Sequence, residues 1–498
     1  MIVTISSDDL QSKPCDILVI PVCEDADIYP ADFIPKLMQQ ARALKEFNGA
    51  DGDRAVFYAP SGIQAAQVMF VGLGPKDRLD AESFRKACGT AVKKCIQKET
   101  STACFVVPDA SDLPTGYDER LKAMIEGAYL GNYQYDLFKK PKHSSLETLI
   151  FSVPAAMSSQ ADDLSRKVTA VCDGVILARQ WVTTPPNLKR PEQFAEMITS
   201  LAQAQHLHIE TLDHTALREK GFGALLAAAA GSDVSARMVI LEHRPPRFQK
   251  TIALAGKGVT FDSGGINLKQ PISLEDMKMD MAGAAAVAAT LITAARLNLP
   301  VRLIGALPIV ENMPSGSAIR PGDVVKSFSG KTIEIGNTDA EGRLILADAL
   351  SYIIQTRTPD VVMDLATLTG ACVIGLGEKI AGVFSYDNAL AESLVTSGRN
   401  TFERCWQMPL PEDYKAYLKS EIADICNKSH SKWGGAITAA LFLSEFTQNT
   451  RWAHIDIAGP AFIKKGTPYC IAGGTGFGVR LLCDWLEKEA EAGSQGCS

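Results

Sequence analysis

Three stretches of the sequence concentrate charge among small or apolar residues. AGKGVTFDSGGINLK carries Lys257, Asp262 and Lys269, EDMKMDMAGAAA carries Asp280, and NTDAEGRL (residues 337–344) carries Asp339, Glu341 and Arg343. Taken singly, each has an ordinary structural use. Aspartate favours the positive end of a helix dipole, aspartate and glycine form turns, and lysine sits at surfaces. If the three stretches meet, however, three aspartates and a glutamate share a small volume and cannot all stay ionised without cations. Lys269 and Arg343 supply two positive charges and leave a deficit that divalent ions would cover. A carboxylate such as Asp262 or Glu341 can bridge two ions ~3.5 Å apart. Oxygen-dominated ligation with no histidine in these segments favours Mn2+ or Mg2+, with Zn2+ admissible. The pattern suggests a dinuclear hydrolytic site.

Such a site needs elements that bring distant segments to one point. In the first third of the chain, CDILVIPV, QVMFVGLG, ACFVVPD and TLIFSVP read as buried strands, with helical segments such as AESFRKACGTAVKKCIQ between them. That alternation is the α/β signature, and this part holds no cluster of catalytic residue types. A long helical segment, ADDLSRKVTAVCDGVILARQWV, runs up to Pro185 and Pro186, which stop it. The second part repeats the alternation with TIALAG, RLIGALPIV, VVMDLATL and WAHIDIAG as strands and MAGAAAVAATLITAARL as a helix of small residues. The charged stretches fall at expected strand ends or strand-to-helix turns, where ligands of open α/β sheets gather. The expected order is an N-terminal α/β domain over 1–160, a linker helix over 161–185 and a catalytic domain over 186–498. The polar tail EKEAEAGSQGCS is expected to fray.

Bulk properties agree. A chain of 498 residues is too long for one ordinary core, and 46% hydrophobic with 21% charged residues is a globular balance. The net charge of −7 gives no electrostatic reason to expect nucleic acid or an anionic membrane as partner. The twelve cysteines form no C-x-x-C pair. Without a secretory start they read as reduced thiols of a cytoplasmic protein. The most apolar run, AGAAAVAATLITAA, is shorter than the ~20 residues of a membrane span. Other chemistries fail on spacing: AGKGVT is no Walker A loop, PSGSA lacks the second glycine of a nucleophile elbow, and the seven histidines form no H-E-x-x-H motif. GGTGFGV reads as a structural turn.

GKGVTFDSGGINLK, MKMDMAGAA and NTDAEGRL, in this order and spacing, closely resemble the leucyl aminopeptidase family (cytosol aminopeptidases, peptidase family M17), whose signature is the octapeptide NTDAEGRL. DLATLTGA, the stretch HIDIAGPA from His454 and GGTGFGVR extend the likeness over most of residues 170–485. One departure is VTTPPN at 182–187, where relatives usually carry an asparagine or acidic residue before the proline step. The resemblance implies two α/β domains: a smaller, macro-like N-terminal one and a larger catalytic one with a mixed central sheet flanked by helices. It implies Lys257, Asp262, Asp280 and Glu341 as ligands of a tighter metal, and Asp262, Asp339 and Glu341 as ligands of an exchangeable one, both Mn2+ or Zn2+. Lys269 and Arg343 match the two catalytic positions, the arginine with a bicarbonate ion as general base. Met277, Thr367, Gly370, Ala458 and Ala461 match a pocket for an apolar, leucine-sized side chain. The implied activity is release of N-terminal residues by a two-metal-activated hydroxide, from peptides with a free N-terminus, by a homohexamer engaged in intracellular peptide turnover. The rival readings are another dinuclear metallohydrolase, such as a phosphatase, and a secondary DNA-binding role known in some members.

Overall fold

The four apolar runs of the first third become the inner strands of one sheet. In the computed structural model, which describes residues 1–10, 13–30 and 34–495, they are flanked by two edge strands. The strands are β1 (Ile2–Ser6), β2 (Ile17–Val22), β3 (Arg54–Tyr58), β4 (Gln67–Gly72), β5 (Thr102–Val106) and β6 (Thr148–Ser152), in the spatial order β1-β6-β5-β2-β4-β3. All pairings are parallel except β3 with β4. Helices α1 (Pro35–Arg42), α2 (Ala81–Gln97) and α3 (Tyr117–Gly131) accompany them. Helix α2 starts in a capping box in which Asp80 accepts from Ser83 N. The unit comprises Met1–Asp173 with Lys465–Ala472.

Helix α4 (Ser158–Thr183) ends where Pro185 and Pro186 forbid its continuation. Within it the chain enters the second unit, Gly174–Lys464 with Gly473–Ser498. This unit has the helices α5 (Pro191–Ala204), α6 (His214–Lys220), α7 (Gly223–Ala229), α8 (Pro271–Leu274), α9 (Ala282–Arg296), α10 (Gly342–Arg357), α11 (Gly370–Leu376), α12 (Asn388–Thr401), α13 (Gly435–Ser444) and α14 (Val479–Gln495). Its strands are β7 (His208–Leu212), β8 (Arg237–His243), β9 (Thr251–Gly256), β10 (Gly258–Asp262), β11 (Arg302–Asn312), β12 (Val324–Lys326), β13 (Thr332–Glu334), β14 (Val361–Ala366), β15 (Ala381–Phe384), β16 (Cys405–Gln407), β17 (Ile425–Cys426) and β18 (Arg451–Asp456).

The large sheet runs β16-β15-β18-β14-β9-β11-β8-β7, with β10 paired to the far end of β11. Strands β18, β14, β9 and β11 are mutually parallel and almost wholly buried on both faces, whereas β8 and β15 join them antiparallel. The sheet is therefore mixed, as the resemblance implied. Helix α9 covers one face: a side chain at Gly305 of β11 would meet Leu291 and Val287. Helix α10 covers the other, where Leu346, Ala349 and Leu350 join Ala253, Ile304 and Val362 in one core.

Three expectations need correction. β10 was absent from the expected strands: only Lys257 separates it from β9, Asp262 closes it after a bulge, and Gly258 is required where it pairs with β11 because a Cβ there would stand 2.5 Å from the Pro308 carbonyl oxygen. The segment Pro271–Arg296 is long and apolar enough by composition to cross a membrane, but 78% of its apolar window is buried inside the protein as core. The tail does not fray at Glu487: α14 runs on to Gln495, and the last three residues lie outside those described.

Candidate metal centre

At the carboxyl end of the large sheet the strands finish in polar residues. Lys257 follows β9, Asp262 closes β10, Asn312 closes β11, Thr367 follows β14 and Asp456 closes β18. Asp280 ends the 3-10 turn Met277–Met279 ahead of α9, and Glu341 directly precedes α10. Asp280 thus precedes the alanine-rich helix by two residues. The apolar strands and helices do the positioning: each burial register fixes where a polar terminal residue emerges.

The segments meet. Asp262, Asp280 and Glu341 are buried, and each offers an oxygen within 4.8 Å of the others. Lys257 Nζ lies 2.8 Å from Asp280 Oδ2 and 2.9 Å from Glu341 Oε1, and donates to the Thr367 carbonyl at 3.0 Å. Lys269 Nζ lies 2.7 Å from Asp262 Oδ2 and 2.6 Å from Asp339 Oδ1. Thr367 Oγ1 donates to Asp280 Oδ1 at 2.7 Å. Gly342 is required for this approach, since a Cβ there would stand 2.5 Å from Lys257 Cε and 2.8 Å from its Nζ.

Charge in this centre is not balanced. Burial pushes Asp262 up to about 6, helped by the neighbouring Glu341 charge, and raises Asp280 and Asp339 as well. Burial opposes ionisation of Glu341 too, but Lys257 and Lys269 outweigh it and hold Glu341 below its ordinary range. Burial likewise disfavours both ammonium groups, yet the carboxylates around them keep their pKa values above normal. Two lysines against four acids leave two negative charges uncompensated when all are ionised. Asp280 Oδ2 and Asp339 Oδ1 accept no hydrogen bond in good geometry, although an ammonium stands beside each. Converging hard oxygens, an amine, excess negative charge and unsatisfied oxygens form a donor set that fits small divalent cations.

Arg343 is half-buried beside this set. Its Nη1 donates to the Asn427 carbonyl at 2.9 Å, its Nε has no partner, and its guanidinium lies 6.0 Å from the Phe442 ring centre. Burial lowers its pKa to about 10, so it keeps its charge at neutral pH. Of the residues matched to a side-chain pocket, Met277 opens the turn that Asp280 closes, and Thr367 touches Asp280. Exposed Gly370 opens α11, half-buried Ala458 follows β18, and Ala461 is buried with its amide bonded to the Ile457 carbonyl.

Two asparagines escaped the sequence reading. Asn312 Nδ2 donates to Asp262 Oδ1 at 2.8 Å and to the Thr338 carbonyl at 3.0 Å, tying the first charged stretch to the third. Asn427 Oδ1 accepts from the amides of Gly336 and Asn337, and its Nδ2 donates back to the Asn337 carbonyl. Asn312 sits at a strand end, a signal that could have found it. Asn427, in DICNKSH, carries none.

The chain as a whole is similar to known proteins. Residues 176–483 match the catalytic-domain model of the cytosol aminopeptidase family, and residues 24–142 match its N-terminal-domain model. A probable cytosol aminopeptidase of Syntrophotalea carbinolica is 43% identical over 89% of this chain and 90% of its own. One of Desulfovibrio desulfuricans is 41% identical over 94% and 96%. Among solved structures, the bottromycin maturation enzyme BotP in complex with Mn superposes with a TM-score of 0.86 at 35% identity, covering 96% of this chain and all of BotP.

Proposed function

This chain belongs to the cytosol aminopeptidase family and is an aminopeptidase; from that premise we propose that its buried centre holds two divalent cations and that it releases leucine and other apolar residues from peptide N-termini. The observation that carries the proposal is the convergence of Asp262, Asp280 and Glu341 within 4.8 Å. Lys257, Asp262, Asp280 and Glu341 would hold one ion, the lysine ligating after losing its proton, and Asp262, Asp339 and Glu341 the other. Manganese is the first candidate because the BotP structure contains it, with zinc second. Bound ions supply Lewis acidity to water and to the scissile carbonyl.

The chain's own groups supply the rest. Lys269 keeps its proton among Asp262 and Asp339 and presents a positive charge to the oxyanion that develops in the transition state. Arg343, with Nε and most of its fork free of the Asn427 carbonyl, would hold a small anion such as bicarbonate as general base. Thr367, Gly370, Ala458, Ala461 and Met277 would form the apolar pocket. Such a pocket separates substrates by only ~1–3 kcal/mol per methylene, so several apolar residues should be accepted. A place in the cytoplasm accords with the relatives' names, and there the enzyme would serve peptide turnover as a homohexamer.

The deciding experiment is hydrolysis of leucyl p-nitroanilide by metal-stripped protein reconstituted with Mn2+ or Zn2+, beside a phosphate monoester. Activity restored on the anilide alone is the expected result. Folded, reconstituted protein that cleaves only the phosphate ester, or neither compound, would sink the proposal.

A further inference from the structure

Asp456 forms no ion pair with the charged cluster, yet it is fully buried at the end of β18 and accepts three hydrogen bonds from two loops. Its Oδ1 accepts from Leu368 N and Ala458 N, both at 3.1 Å. Its Oδ2 accepts from Thr369 Oγ1 at 2.7 Å. Thr369 in turn caps α11, accepting from Cys372 N at 3.0 Å, and so fixes where Gly370 begins that helix. Two residues earlier, Thr367 is held from the other side: its hydroxyl donates to Asp280 and its carbonyl accepts from Lys257. The loop 367–370 is therefore pinned between the charged cluster and a single carboxylate, which also fixes the start of the loop 458–461.

We propose that Asp456 is a positioning residue that sets substrate side-chain specificity by clamping these two loops at a fixed separation. The inference rests on the aminopeptidase reading, in which the loops carry Thr367, Gly370, Ala458 and Ala461 of the pocket. A buried carboxylate is suited to the task because its two oxygens take three donors from two directions, and each bond to an ionised acceptor is stronger than a neutral one. Burying that charge is costly and raises the carboxyl above its ordinary range, and the three donors offset part of the cost. A hydrophobic contact would not fix the backbone amides in place. Loosening the clamp should leave the reacting groups assembled while the pocket walls lose their spacing. Discrimination by side-chain size then falls, because each lost contact removes packing that only the better-fitting substrate enjoys.

The test compares wild-type, Asp456→Ala and Asp456→Asn proteins, loaded with Mn2+, on leucyl and glycyl p-nitroanilides. Asp456→Ala should raise KM for the leucyl substrate and reduce the leucyl-to-glycyl ratio of kcat/KM by about tenfold, the discrimination of roughly one methylene. Asp456→Asn should recover most of that ratio, because its carbonyl oxygen can accept from both amides while its amide group donates to Thr369 Oγ1. A second readout is hydrogen exchange, in which Leu368 and Ala458 amides should exchange faster in Asp456→Ala than in wild type. An unchanged ratio in folded, metal-loaded Asp456→Ala overturns the proposal, as does an Asp456→Asn variant as impaired as the alanine one. Loss of kcat on both substrates by one common factor would mark Asp456 as merely structural and also overturn it. Wild-type protein inactive on both anilides would bring down the aminopeptidase reading instead, and the exchange measurement would still decide the clamp.

Discussion

At the scale of single residues, the centre separates groups that build it from groups that act in it. Glu341 is buried within 2.9 Å of Lys257 and shares the cluster with Asp262 and Asp280. Glu341→Ala is expected to lose both bound metal and activity, as metal analysis of the purified variant alongside an anilide assay will show. Lys269 contacts carboxylates that would remain as ligands without it, so Lys269→Ala should retain metal and lose about 10²–10³ in kcat, the usual worth of one oxyanion donor. Equal metal loss in both variants would contradict this division. Gly342→Ala isolates geometry from charge. Alanine is a better helix former than glycine by ~1 kcal/mol, so stability should not suffer from the helix itself. The new Cβ must displace Lys257, which stands 2.5 Å away, and metal affinity should drop about 10–100-fold. An unperturbed metal titration would show that Lys257 is not a ligand. The charged residues were legible because their types and spacing are improbable in a core. Asn312 and Asn427 were not, since their contribution is a hydrogen bond to Asp262 or to the backbone of 336–337, and an asparagine before a loop has many ordinary uses.

At the scale of elements, the helices that carry the centre are themselves held by buried acids. Asp348, fully buried in α10, accepts from Phe328 N at 2.7 Å through one oxygen and from Leu225 N at 2.8 Å through the other. It thereby fixes the start of α7 and the turn after β12 to the helix that begins at Gly342. Burial pushes its carboxyl up to about 7. Asp348→Asn keeps the shape but turns one acceptor into a donor facing a backbone N–H, which should cost about 1–3 kcal/mol. A urea-unfolding midpoint equal to that of wild type would refute the assignment. Legibility at this scale followed burial. Strands β2, β4, β5 and β6, apolar on both faces, stood out as continuous runs. Strands β1 and β3 did not, because as sheet edges they are largely exposed and their polar residues break the run. The short strand β10 was hidden for another reason: its glycine and aspartate are turn formers, and only its pairing with β11 makes it a strand.

At the scale of the whole molecule, composition pointed to reduced thiols, and their placement gives that reading a measurable form. Of the cysteines in the described residues, ten are buried and Cys15 is half-buried, and none is in a disulfide. Burial raises the thiols of Cys23 to about 11 and of Cys95 and Cys372 to about 12, so almost no thiolate exists there at neutral pH. Cys15 is the exception: a hydrogen bond from Cys104 lowers it despite partial burial and the nearby Asp16 charge. Reactivity follows thiolate fraction and access together. In native protein a disulfide reagent such as DTNB should therefore react promptly with Cys15 and only slowly with the ten buried cysteines. In guanidinium chloride all twelve cysteines should react. Dithiothreitol should leave the thermal midpoint unchanged, because no disulfide joins cysteines of the described residues. Fewer than twelve reactive thiols in the denatured chain, or a midpoint that falls with reductant, would mean that a cross-link exists and that the two cores do not stand on burial alone. Each unit has its own apolar core, one around Phe70 and Val68 and the other around Leu346 and Ile304, large enough to make such a link unnecessary.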